Sequence, residues 1–410
     1  MKAAFRIFSL VCTVFVLFTQ CKKEIEPLPR VEIQDANFLN ALLELGVDKN
    51  WNGEICTGEA ALITSLDVSY RDISNMTGIE DLIHLDTLLC GGNQLSTLDV
   101  SNNTSLKYLN CGGNQISSLD VSSCAELEFL KCPGNQLSTL DVSTCTALYY
   151  FVCHGNQLTT LDLSENHNLF EVYCDDNNLS SLHISGSASL WTICCPGNQL
   201  TTLDVSQVSV TGLLCGDNPL GSLDVSQNTD LITLSCGATL ISSLDVSNNI
   251  YLRSLECTNL QLSSLDISNN NDLWNLNCSD NQLSSLDVSD KTALEILYCS
   301  NNQLSSLDLS NDTLLEHFRC RNNQLSSLDL SNNAVLTDLD CGRNELSSLD
   351  ISNNIKLGTN TTWESIPDIV LDSMPTLFEV CVWELPFPPE GVEIEITGSP
   401  NISFTTECSK

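Results

Sequence analysis

Thirteen cysteines keep time along most of this chain. Cys90, Cys111, Cys132, Cys153, Cys174 and Cys195 stand 21 residues apart, Cys215 follows after 20, and Cys236, Cys257, Cys278, Cys299, Cys320 and Cys341 resume the step of 21. Around each lies the same phrase, L-x-x-L-x-C-x-x-N-x-L-x-x-L-D-[VIL]-S, closed by a few polar residues and running from Leu85 to about Leu357. A unit this short holds too few apolar side chains to offset the entropy of ordering it, so no copy folds alone and neighbours must stack.

Let Leu106 be position one of its unit, so that Cys111 is position six. Leu109 and Cys111, two apart, share one face of a short strand. Leu106 joins them inside, and Ile116, Leu119 and Val121 fill the returning side. Asn114 falls where the strand ends and the backbone turns. Its carboxamide can bond the backbone of its own and the neighbouring unit, so a stack builds an internal asparagine ladder. Eleven of the thirteen units keep this Asn; Thr239 and Leu260 replace it in two neighbours, where a local irregularity is expected. The period and the L-x-x-L-x-C-x-x-N-x-L core resemble the leucine-rich repeats. That resemblance implies an α/β repeat fold, a solenoid of 21-residue coils with one strand and one return per coil.

The chain opens with Lys2 and Arg6 ahead of an apolar run, Ile7 to Phe18, too short to span a bilayer and suited to a secretory signal. The run ends Phe18-Thr19-Gln20-Cys21, followed by Lys22-Lys23-Glu24. This resembles a Bacteroidetes-type lipoprotein signal over residues 1–20. It implies acylation at Cys21, a tether over 21–34, and an outer-membrane lipoprotein exposed at the cell surface that touches the membrane only through its lipid. Gln20 departs from the small residue usual at the cleavage site, and an ordinary secretory signal is the alternative.

Asp35 reads as the N-cap of a helix from Ala36 to Leu45, with Phe38, Leu39, Leu42, Leu43 and Leu45 on its apolar face and Gly46 at its end. Asp48 to Glu59 then fits D-x-[DN]-x-[DN]-G-x5-E, the spacing of an EF-hand calcium loop. Asp48, Asn50 and Asn52 would offer side-chain oxygens to Ca2+, Glu54 its carbonyl and Glu59 a bidentate carboxylate, with Gly53 at the sharp turn. Against this, only Asp48 and Glu59 supply charge and no second hand is present. The internalins, which this architecture resembles, carry an EF-hand-like cap that binds no metal. On either reading residues 35–62 are the N-terminal cap.

A degenerate coil begins at Ile63, with Val68 in place of Cys and Arg71 in place of Asn, so the solenoid spans 63–357. Residues 358–410 read as degenerate repeats and a small β cap built from Leu377, Val380, Val382 and the alternating Val392, Ile394 and Ile396. The ladder cysteines recur at one inward position and read as buried free thiols, small apolar residues in effect. A line of thiols also lacks the converging ligand set of a soft-metal site. Off the ladder, Cys381 and Cys408 flank the terminal cap and read as a disulfide staple. Cys124 and Cys145 occupy one loop position in adjacent coils and read as a surface disulfide. Cys56 and Cys194 have no evident partner.

With 52 acidic against 16 basic residues and a net charge of −36, the chain repels nucleic acid and anionic membrane surfaces. Part of that acidity is periodic: Asp99, Asp120, Asp141, Asp162, Asp204, Asp224, Asp245, Asp266, Asp287, Asp308, Asp329 and Asp350 recur, with His183 as the exception. Each is expected to bond backbone amides in its own Asp-x-Ser turn. No catalytic constellation is present: the five histidines are scattered, and no nucleophile elbow, zinc motif or phosphate loop occurs. No enzymatic activity is expected.

Positions three, five and seven of each coil point outward from the strands, and there the repeat stops repeating. Tyr108, Phe129, Lys131, Tyr150, Val152, His154 and Tyr173 gather over neighbouring coils, and Tyr298, His317, Arg319 and Arg321 gather further on. Rigid aromatics on a strand face suit protein anchors or sugar stacking. The expected function is a cell-surface module that recognises an extracellular protein or polysaccharide through the concave face of the solenoid, for adhesion or ligand capture. The alternative is a structural coat or spacer whose acidic surface and calcium-dependent stability matter more than any one ligand.

Overall fold

The computed structural model describes residues 28–184, 186, 190–359 and 367–408. The expected signal, the expected lipidation site at Cys21 and the first half of the expected tether lie outside the described residues.

The repeating strands stack side by side into one parallel sheet of 16 strands, from Ser65–Asp67 to Ile394–Glu395. Most strands are three residues long, such as Tyr108–Asn110 and Phe129–Lys131. They pair in register, with Leu109 beside Leu130 and Leu130 beside Phe151. The middle residue of each strand, flanked by the position-one Leu and the position-six Cys, is fully buried in every regular coil. Helix is confined to the cap apart from one turn of 3-10 helix at Ile79–Asp81 among the described residues. The returning side is instead turn and short strand, as in Leu98–Asp99 beside Leu119–Asp120. The sheet also continues past residue 357, through Ile369–Val370 and Ile394–Glu395.

The turn after the cysteine explains the residue choice at position eight in eleven of the thirteen coils, Ala238 and Arg343 taking the same φ in the other two. Gly92, Gly113, Gly134, Gly155 and Gly197 there take φ between +60° and +67°, and Asp176, Asp217, Asn259, Asp280, Asn301 and Asn322 fill the same place. This is the left-handed region that Gly, Asn and Asp enter most easily. Position nine carries the ladder. Asn114 donates through Nδ2 to the carbonyls of Cys111 (2.9 Å) and, one coil earlier, Cys90 (3.1 Å), while its Oδ1 accepts from the Leu95 amide (3.0 Å). The same set recurs at Asn135, Asn156, Asn177, Asn198, Asn302, Asn323 and Asn344.

The expected irregularity falls at Thr239 and Leu260. The Thr239 hydroxyl reaches only its own coil, at the Cys236 carbonyl (3.1 Å). Beside Leu260, Gln261 is driven to φ +60°, a value its counterparts in the other cysteine coils do not take, and Asn281 Oδ1 accepts from both the Leu260 and Leu262 amides. The Asp-x-Ser turns also form as expected: each aspartate accepts from the amide two residues on, as Asp99 does from Ser101 (2.9 Å).

At the N-terminus, helix α1 (Ala36–Glu44) lays Phe38, Ala41 and Leu42 over the first coil. Asp35 caps it through the Asn37 and Phe38 amides, and its other oxygen accepts from the Ser74 amide (2.8 Å) and hydroxyl (2.7 Å). One carboxylate thus ties the cap to the solenoid.

Candidate functional site

The fold brings the first outward cluster together. Tyr108 stacks on Phe129 with ring centroids 5.5 Å apart, Phe129 leans on Tyr150 (6.3 Å), and Tyr150 on Tyr173 (5.8 Å). The Lys131 ammonium sits among them, 4.9 Å from the Tyr150 ring centre and 5.8 Å from that of Tyr108. A cation over aromatic faces is held by the ring quadrupole, so Lys131 belongs to the cluster rather than standing as a free charge. Val152 is nearly buried at the rim and His154 is exposed.

A second aromatic row runs beside the first and escaped the sequence reading. Tyr149, Phe170 and Trp191 hold position two of three successive coils. Tyr149 and Phe170 are parallel within 3° at 5.1 Å, and Phe170 meets Trp191 at 5.7 Å. Phe129 joins the rows through an edge contact with Tyr149 at 6.0 Å. Tyr149 is 42% and Trp191 49% exposed, so this row is the more accessible one. Its signal was present in the sequence as three aromatics at one coil position. Strand alternation directs attention to positions three, five and seven, whereas position two lies just before the strand, where the direction of a side chain depends on the bend of the coil.

The second cluster proves to be an internal charge network. Arg319 bonds Asp338 (2.9 and 3.4 Å) and lies 4.9 Å from the Tyr298 ring centre. Arg321 is paired with Asp372 through both nitrogens and lies 3.6 Å from Asp340. His317 sits in the same strand, half-buried. Each guanidinium already has a carboxylate, so the two arginines of this cluster are paired within the protein.

Two cysteine readings separate here. Cys381 and Cys408 are bonded, their Cα atoms 5.5 Å apart. Cys124 and Cys145 are not a surface disulfide: both are free and fully buried. Their loop position points inward, and the thiols aim at backbone carbonyls of the preceding coil, Cys124 toward Val100 and Asn103, Cys145 toward Val121. The thirteen ladder thiols are likewise free and buried, and burial pushes their pKa up, to about 12 at Cys111. Cys194 is half-exposed beside Asp175, and burial together with that carboxylate pushes it to about 12, so it is a poor nucleophile.

In the Asp48–Glu59 loop the oxygens of the calcium pattern accept hydrogen bonds from the loop itself. Asp48 takes the Trp51 (2.7 Å) and Gly53 (2.8 Å) amides, and Asn52 Oδ1 the Glu54 amide (2.9 Å). Glu59 takes the Lys49 and Cys56 amides and the Asn50 side-chain nitrogen (3.1 Å). Glu54 pairs with Arg30. The donor types suit a hard cation, yet Asn50 turns nitrogen rather than oxygen toward Glu59. The Asn50 oxygen accepts from the Asn52 amide (3.0 Å).

No family model and no curated protein matches the chain. Solved structures do. The functional domain of InlJ from Listeria monocytogenes, described as including a cysteine ladder, superposes with a TM-score of 0.68 at 28% identity, covering 87% of this chain and 83% of that one. A leucine-rich-repeat protein of Leptospira interrogans gives 0.64 at 22% identity, covering 83% and 97%. YopM, a leucine-rich effector protein from Yersinia pestis, gives 0.62 at 20% identity, covering 88% and 98%. The fold is a leucine-rich-repeat solenoid. Its structural neighbours also include an internalin of Listeria monocytogenes, at a TM-score of 0.58, and a plant peptide hormone receptor, at 0.57. Among the described residues no helix is long and apolar enough to cross a membrane.

Proposed function

We propose that this chain is a binding module that captures an extracellular partner on the concave face of its solenoid, held at the cell surface by a lipid on Cys21. The observation that carries the reading is the double aromatic row over adjacent coils: Tyr108, Phe129, Tyr150 and Tyr173 beside Tyr149, Phe170 and Trp191. Large, stiff side chains lose little entropy on binding and contribute most of the energy of protein interfaces. The likeness to bacterial leucine-rich-repeat proteins supports a binding scaffold, and the absence of a catalytic constellation in the sequence fits it.

Both a protein and a polysaccharide fit an aromatic face, and ring geometry favours the protein. At 5.1 Å between centroids, Tyr149 and Phe170 are too close to lie side by side in one plane, so they stack face to face. Ring edges and hydroxyls are left for a ligand, whereas a sugar needs an open face to stack on. The net charge of −36 disfavours acidic glycans in particular.

The test is a screen of the mature chain against extracellular proteins and neutral and acidic polysaccharides. A variant carrying Tyr149→Ser, Phe170→Ser and Trp191→Ser runs beside it. Loss of a bound partner by 100-fold or more, about 2.7 kcal/mol, locates the site on the second row. Retained binding moves the site elsewhere on the solenoid. Silence from both proteins favours the structural-coat reading.

A further inference from the structure

The turn after each Asp-x-Ser carries a second buried ladder. Asn249, Asn270, Asn333 and Asn354 each donate Nδ2 to two carbonyls of the coil before, as Asn333 does to Leu309 (3.2 Å) and Asp312 (2.8 Å). Cys124 and Cys145 keep a donor in this place. Val208 fills the place with an apolar side chain, and two consecutive coils put a charged one there. Lys291, 2% exposed, sends its ammonium back to Asn271 Oδ1 (3.1 Å) and the Ser268 carbonyl (3.4 Å). Asp312 has no exposed surface, and neither carboxyl oxygen has a hydrogen-bond partner among the described residues.

The repeat sets that carboxyl against the Val288 and Lys291 carbonyls, the acceptors that an asparagine at 312 would bond. Oxygen therefore faces oxygen. An ionised carboxylate can only accept, whereas the acid form has an O–H to donate. Two charges act on the group: Asp308 on its own coil opposes ionisation, and Lys291 on the coil before favours it. The following coil brings the uncharged Asn333. Lys291 is directed elsewhere and makes no ion pair with Asp312 among the described residues.

We propose that Asp312 is buried as the neutral acid, and that loss of its proton loosens the stack between Lys291 and Asn333, making a proton-controlled joint in the solenoid. Burial, then Asp308, push its pKa up to about 7. A group whose folded value lies above its unfolded one stabilises fully below the unfolded value, here 3.8, and loses that contribution as pH rises to the folded value. The joint is therefore tight in acid, loosens across this window and changes no further above it. The aromatic rows lie on the N-terminal side, several coils away. The strand carrying Arg319 lies within the joint, and the terminal coils lie beyond it.

The test compares the full chain with its Asp312→Asn variant by amide hydrogen exchange from pH 4 to pH 8, each rate corrected for its intrinsic pH dependence. Asparagine occupies this position in neighbouring coils, so the variant folds. Opening of residues 288–336 in the parent, relative to the variant, is expected to rise about tenfold per pH unit between about pH 4 and about pH 7 and then level off, the slope of one proton. Residues 85–220 show no such difference. A ratio that stays flat, or that rises toward acid, overturns the proposal, because it means a carboxylate ionised throughout. Lys291→Met is the second check. A neutral acid shows the rising profile in the parent and moves it to higher pH once the cation is gone, whereas an ion-paired carboxylate shows the rise only in the Lys291→Met variant.

Discussion

At the scale of single residues, this molecule is a set of ladders in which each rung must supply the right donor or acceptor. Asn114 satisfies three buried backbone groups in two coils, and a residue lacking both an amide and a carbonyl leaves them unpaired. Thr239 shows the consequence. Its hydroxyl bonds one carbonyl of its own coil, and its side chain offers the Leu220 amide no carboxamide oxygen. Thr239→Asn should restore the bond to the coil before and raise stability by about 1–2 kcal/mol, read from the denaturation midpoint. A fall instead would mean that Leu260 in the next coil leaves no room for the longer side chain. The same view explains Cys124 and Cys145. The sequence shows two cysteines in step in a polar loop. It does not show that the loop turns its third residue inward, where a thiol replaces an asparagine amide as donor.

At the scale of elements, the N-terminal cap carries the sharpest expectations. Asp35 both caps α1 and holds Ser74, so Asp35→Ala removes a helix cap and the link to the first coil together. A loss of about 2 kcal/mol, the upper end for a cap, should appear as early exchange of residues 36–62. A loss confined to a few tenths would mean that the apolar face of α1 alone holds the cap. The calcium loop was legible as a pattern, but the pattern does not report which partner its oxygens take. Asp48 and Glu59 both accept several loop amides. The cap should therefore stay folded in chelator, with a melting temperature within about one degree of the untreated protein. A rise of several degrees on adding millimolar calcium would show that a cation enters the loop, since a ligand that binds only the folded state stabilises it.

At the scale of the whole molecule, two opposing responses to acid meet. Eleven of the Asp-x-Ser carboxylates, from Asp99 to Asp329, are held below the usual value by the amide and hydroxyl of the serine two residues on, as at Asp99 and Asp120. For such groups the stability is present above the unfolded value of 3.8 and is lost as pH falls through the folded one. Asp312 acts in the opposite sense above that value. Self-repulsion at −36 adds to the cost of high pH and is screened by salt. The melting temperature should peak between about pH 4 and pH 6, fall below it, and at pH 8 rise with added sodium chloride. A peak at pH 8 or above would contradict both the buried acid and the repulsion. The coil, its period, the inward cysteines, the asparagine ladder and the Asp turns were all determined by the sequence alone, because each is a local rule repeated at a fixed step, and stacking copies the rule without altering it. The tertiary structure decided what depends on neighbouring coils rather than on the coil itself. It set Tyr149, Phe170 and Trp191 into one exposed row, neutralised Arg319 and Arg321 with carboxylates from later coils, and left Asp312 facing carbonyls that only its neighbour's backbone could bring there.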